Sequence, residues 1–102
     1  MKYNKLVRDK IPAIICQNGE IPITRKLSTT EHEQALRAKL HEEVAEFCES
    51  GQLEELADIL EVIYALTDSI GASRAELHET RQQKKQERGG FQDRIFLIET
   101  QK

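Results

Sequence analysis

The chain has no tryptophan, two tyrosines, three phenylalanines and two cysteines among its 102 residues. So little aromatic surface leaves few platforms for stacking single-stranded bases. Cys16 and Cys48 stand far apart in apolar settings, and no CxxC or HxxxH spacing offers zinc its ligands. Both cysteines read as small buried hydrophobes rather than a disulfide or a catalytic thiol. No apolar run approaches the roughly 18–20 residues that span a bilayer. The opening Met1-Lys-Tyr-Asn-Lys-Leu-Val-Arg-Asp9 has no signal-peptide core, so the expectation is a cytoplasmic protein without membrane contact. One further absence is local. Between Leu40 and Ser73 there is no lysine or arginine, while nine of the 18 acids fall between Glu42 and Asp68.

A solvated helix surface normally interleaves charge signs to gain i,i+4 pairs. A block of one sign repels itself unless something cationic neutralises it. The net charge of −3 does not favour nucleic acid. Basic residues gather instead at the ends, at Lys2, Lys5, Arg8 and Lys10 and again at Arg81, Lys84, Lys85 and Arg88. An acidic centre between two basic ends suits a metal–polyphosphate complex better than a duplex.

Within the acidic block, Glu43 and Glu46, and then Glu55 and Asp58, are each spaced i,i+3, which puts each pair on one helix face. Ser50 and Gly51 lie midway between Glu46 and Glu55, and equally between Glu43 and Asp58. A reversal there makes the two helices antiparallel and brings the four acids to matching heights. They would form a rectangle about 4.5 Å along the axes, with the axes about 8–10 Å apart. Carboxylates reaching inward from such a rectangle can close on a hard divalent cation. Mg²⁺ is the natural occupant, with Mn²⁺ as a substitute, because it prefers oxygen ligands and shares its shell with phosphates.

The length supports a single domain over residues 1–102 with a modest core. A short helix is expected over 8–17, with Pro12 tolerated in its first turn and Gly19 past its end. Ile21-Pro-Ile-Thr-Arg-Lys-Leu27 alternates like an edge strand. Ser28-Thr-Thr-Glu31 is a capping box that opens a long helix to about 49, with Leu36, Leu40, Val44 and Phe47 in one stripe. The next helix, over 53–70, is apolar nearly all round, so it must be buried on several sides. One chain with three main helices has too few neighbours for that, which points to a homodimer or a dimer of dimers. Ser73-Arg-Ala-Glu76 opens a last helix to about 88, and Arg94-Ile-Phe-Leu-Ile98 reads as a strand pairing with 21–27. The expected class is therefore mainly α, an antiparallel helical bundle with a small two-stranded β element, completed by dimerisation.

Glu42-Glu43-x-x-Glu46 followed by Glu55-x-x-Asp58 resembles the EExxE…ExxD pattern of the all-α nucleoside triphosphate pyrophosphatases, the MazG-like superfamily that includes phosphoribosyl-ATP pyrophosphohydrolase. The flanks Tyr3-Asn-Lys-Leu-Val-Arg-Asp-Lys-Ile-Pro12 and Glu87-Arg-Gly-Gly-Phe91 resemble the two ends of a short house-cleaning branch of that superfamily. The resemblance runs over nearly the whole chain, although the eight residues between the motif halves are fewer than in many members. It implies a dimeric or tetrameric helical metalloenzyme that splits a noncanonical nucleoside triphosphate into monophosphate and pyrophosphate. By position the metal ligands would be Glu43, Glu46, Glu55 and Asp58, with Glu42 in support.

Phosphoanhydride hydrolysis needs positioning and charge neutralisation more than covalent catalysis. The attacking water's proton would go to one of the four acids or to Glu42, with Glu42 and Glu43 the foremost candidates. Lys5, Arg8, Lys10, Lys84 and Arg88 are the expected phosphate contacts, and Asp9 either orients Arg8 or touches substrate. Glu61 could hold a second metal or face a partner. None of His32, His41 and His78 has a catalytic setting. Two other readings stay open: phosphoribosyl-ATP pyrophosphohydrolase, whose usual Tyr-His pair is missing from Ile59-Leu-Glu-Val-Ile-Tyr64-Ala, and a non-catalytic nucleotide-binding helical dimer.

Overall fold

Serine side chains start both of the helices that open on a capping box. Ser28 accepts a hydrogen bond from the Glu31 N–H at 3.2 Å, and the Glu31 carboxylate accepts one from the Ser28 N–H at 3.0 Å. Ser73 and Glu76 repeat the exchange at 3.1 Å in each direction. Each box satisfies two N–H groups that the first helical turn would otherwise leave unbonded. Arg25 adds a forked ion pair to Glu31, which holds the Glu31 carboxyl down at about 2.

The computed structural model describes all 102 residues and is mainly helical: α1 (Ile11–Gln17), α2 (Thr29–Ser50), α3 (Leu53–Ser69) and α4 (Arg74–Arg88), with no strand. No helix is long and apolar enough to cross a membrane. The three longer helices match the sequence expectation to within a residue. α1 begins later than expected. Pro12 has no N–H to donate toward Arg8, so the first α-type bond runs from Ile14 N–H to the Lys10 carbonyl at 3.1 Å.

Gly51 makes the reversal between α2 and α3. Its φ of +66° lies in the left-handed region, and its N–H closes the last turn on the Phe47 carbonyl at 2.8 Å. The two helices then pack antiparallel, the main contact in the chain. His32 and Leu36 of α2 and Val62 and Ala65 of α3 line one cleft, and Glu43 comes close to Glu55 and Asp58. Leu36 and Val62 are the only buried apolar residues. A smaller contact joins α3 to α4, where the Tyr64 hydroxyl lies 3.2 Å from His78 Nε2 and the Arg74 guanidinium stacks 4.0 Å above the Tyr64 ring.

Three expectations are corrected. The β element does not form: 21–27 and 94–98 carry no strand. A single extended segment has no ladder partner, Pro22 removes a donor, and Arg94 opens the second segment at a φ of +57°. The cysteines are exposed and unpaired. α1 buries no residue at all, and Cys48 lies in the last turn of α2, beyond Glu43, where packing thins out. The core is also smaller than the apolar content promised. Leu53, Leu56 and Leu60 of α3 and Ile70 just past its end are exposed, as are Ile21, Ile23 and 95–98. The single chain is open, with a radius of gyration of 18.1 Å against about 13 Å for a compact chain of this length.

Candidate metal centre

The antiparallel packing of α2 on α3 brings Glu43, Glu55 and Asp58 together. One carboxylate oxygen from each lies within 4.8 Å of the other two. Glu43 is buried, and Glu55 and Asp58 are half-buried. The mirror spacing about the reversal at Gly51 sets residue 43 opposite residue 58, and Glu55, one turn away on α3, completes the cluster in place of Glu46. Glu46, one turn along α2, stands beside Glu43 but remains exposed and outside the three-way cluster.

Glu43 is the unusual member. Its residue surface is 6% exposed, and its Oε2 is buried with no hydrogen-bond partner. Buried carboxylates are normally paired and hydrogen-bonded, because desolvation disfavours the charged form strongly. Burial first, then Glu46 beside it, push the Glu43 carboxyl above its ordinary value, against the opposing pull of Lys39.

Three cations partly neutralise the cluster. Arg8, from the segment before α1, bonds Asp58 at 2.6 Å. Lys5 lies 3.5 Å from Glu42. Lys39, on α2, reaches both Glu42 at 3.3 Å and Glu43 at 3.4 Å. Burial alone would raise Glu42, but Lys39 and then Lys5 outweigh it and leave that carboxyl below its ordinary value. A cleft of about 200 Å³ opens beside the acids, with Leu6, Val7, Leu36, Val62 and Ala65 on its apolar side and Arg8, Asp9, His32, Lys39, Glu43, Asp58 and Glu61 on its polar side.

Of the expected phosphate contacts, Lys5 and Arg8 therefore reach the acidic centre. Lys10, Lys84 and Arg88 neither pair with an acid nor line this cleft, and Arg88 borders a separate hollow formed by residues 88–95. Arg8 contacts Asp58 rather than Asp9. Glu61 lines the cleft but does not join the three-carboxylate cluster. One residue was missed in the sequence. Lys39 sits three and four positions before Glu42 and Glu43, a spacing that puts it on their helix face. His32, set aside in the sequence as lacking a catalytic setting, lines the cleft from the start of α2.

The donor set fits a hard divalent cation. It is made of oxygens only, and its buried member, Glu43, has a carboxylate oxygen with no hydrogen-bond partner.

No family model matches the chain, and no solved structure matches it. A 42-residue segment is 55% identical to an uncharacterized protein of Mycolicibacterium smegmatis, and covers 41% of this chain and 43% of that protein. The chain thus matches less than half the length of that relative, and the likeness assigns no activity.

Because folding raises the Glu43 carboxyl, the native state holds more protons than the unfolded state between the ordinary value of 4.5 and the raised one. Stability falls as pH rises through that window and stays lower above it. Glu43→Gln should therefore raise the melting temperature of metal-free protein at pH 7.5. Below about pH 4 the gain should vanish, since Glu43 is then protonated in both states. Thermal melts of both proteins at the two pH values check this.

Proposed function

We propose that the chain is a Mg²⁺-dependent nucleoside triphosphate pyrophosphohydrolase that releases a nucleoside monophosphate and pyrophosphate. The observation that carries the proposal is the convergence of Glu43, Glu55 and Asp58, together with a buried Glu43 oxygen that has no hydrogen-bond partner. Glu43, Glu55 and Asp58 would hold the ion, with Glu46 beside them. A divalent ion held there supplies charge neutralisation for the phosphates and polarisation of the phosphoanhydride.

The chain's own groups supply the rest. Lys39 and Lys5 keep Glu42 ionised, so it can orient a water and accept its proton. Glu43, the other candidate for that proton, is drawn toward its ligand role by its burial. The Arg8 side chain is 55% exposed although it bonds Asp58, which leaves it free to swing toward a phosphate oxygen. Arginine suits that task, since its planar fork matches phosphate geometry. The apolar wall of the cleft offers a dry surface to the less polar part of a nucleotide. A noncanonical triphosphate is the substrate class that the motif resemblance supports.

A homodimer, or a dimer of dimers, belongs to the proposal. The isolated chain exposes 9510 Å², against about 5,900 Å² for a compact monomer of its mass. The excess, about 3,600 Å² per chain and so about 7,200 Å² for two copies, is more than enough to supply an obligate interface, about 2,000–5,000 Å² summed over both partners. The exposed leucines of α3 and the extended residues 21–27 and 94–98 are the apolar surfaces such a partner would cover. Lys84 and Arg88 would take a phosphate role only within such an assembly, because neither lines the cleft beside the acids within one chain.

A metal-dependent assay over a panel of triphosphates, scoring pyrophosphate rather than orthophosphate, tests the activity. Glu43→Gln, Glu46→Gln, Glu55→Gln and Asp58→Asn should each lose more than about 100-fold, beyond the 10–100-fold that losing a supporting residue costs. Near wild-type turnover in any two of them would rule out the assignment.

Sedimentation at micromolar concentration should give a dimer or larger, and Leu66→Asp should be unfolded or insoluble. A monomeric wild type contradicts the assembly.

A further inference from the structure

The cations at the acidic centre are not equivalent. Arg8 and Lys5 come from the segment before α1; their side chains are 55% and 44% exposed, and each meets one acid. Lys39 lies inside α2, its side chain is 16% exposed, and it meets two acids at once. Its ammonium faces Oε1 of Glu43 at 3.4 Å, so the other oxygen of that carboxylate, Oε2, is the one left buried and unpartnered. The torsion that turns a glutamate carboxylate is broad and weakly held, and Glu46 stands close enough to push Glu43 aside. Something must therefore hold that carboxylate in place beside Glu55 and Asp58.

We infer that Lys39 is a positioning residue that sets the orientation of Glu43, and of Glu42 beside it, so that the centre is formed before a divalent cation arrives. The inference rests on the reading of Glu43, Glu55 and Asp58 as metal-holding groups. Charge alone gives the opposite expectation. A lysine beside a cation site repels the cation, so its removal should tighten binding. That repulsion is weak here because the same ammonium is already balanced by Glu42, held at 3.3 Å. What remains is geometric. An ammonium has three donors, and two carboxylates on adjacent positions of one helix, three and four residues away, fix its place and are fixed by it. Groups that orient metal ligands from behind typically change affinity 10–100-fold when removed.

The two expectations differ in sign, which makes them separable. Mn²⁺ is titrated calorimetrically into metal-free full-length protein, in parallel for wild type, Lys39→Met, Lys39→Arg and Arg8→Ala, with thermal melts to confirm folding. Positioning predicts that Lys39→Met binds Mn²⁺ about 10-fold or more weakly. Lys39→Arg, which keeps a charge able to reach both carboxylates, should recover most of the loss. Arg8→Ala should bind as tightly as wild type or more tightly, because it removes only an exposed competitor for Asp58. If Lys39→Met does not fold, Lys39→Gln is read by the same criterion. A folded neutral variant that binds Mn²⁺ as tightly as wild type, or more tightly, overturns the inference while leaving the metal centre standing. A wild type that fails to bind millimolar Mn²⁺ overturns both.

Discussion

Everything at the centre of this molecule depends on a carboxylate buried between two antiparallel helices without enough positive charge to match it. Glu43 is enclosed by α2 and α3, receives one ion pair from Lys39, and keeps an oxygen that accepts nothing. A solvent-facing glutamate would have cost nothing at that position, and a leucine would have extended the Leu36–Val62 core. Burying a charge and withholding its partner is instead what proteins do where a ligand completes the set. Asp58 shows the same provision in a milder form, since its partner Arg8 comes from a separate segment and is half open to water.

The rest of the fold serves that juxtaposition more than it serves stability. Two capping boxes set where α2 and α4 begin, and Gly51 sets where the chain turns, so the register of α2 on α3 follows from local chemistry. Little else packs. Two apolar residues are buried, while α3 presents leucines to water on the faces that α2 does not cover. A free-standing chain with so small a core would be marginal. The proposed bundle shared between copies would reconcile a short chain with an apolar helix.

Much of this was legible in the sequence because the decisive signals are local. Serine–glutamate pairs three apart marked the helix starts, glycines marked the stops, and i,i+3 acids flanking a turn pointed to four acids, of which three, Glu43, Glu55 and Asp58, come together. The failures share one cause, which is dependence on a distant partner. Residues 21–27 and 94–98 have strand-like composition, but a strand exists only where another edge meets it. The cysteines read as buried because their neighbours are apolar, yet burial depends on what lies across from them. Arg8 was expected near phosphate or Asp9, and its reach to Asp58, 50 residues away, is a tertiary fact. Lys39 was within reach of sequence reasoning, since its spacing to Glu42 and Glu43 is local; it was passed over because it sits one residue before the cation-free block.

The most direct test of the acidic centre is to locate the ion. Crystals of the wild-type chain soaked in Mn²⁺ can be measured at the manganese absorption edge, where anomalous scattering identifies the metal independently of its surroundings. The centre described here predicts an anomalous peak between α2 and α3, bonded to Glu43, Glu55 and Asp58 at distances near 2.1–2.2 Å, about the Mg²⁺ ligand distance with a small allowance for the larger ion. A fully occupied site elsewhere on the chain, or no peak between these helices at millimolar Mn²⁺, would contradict it.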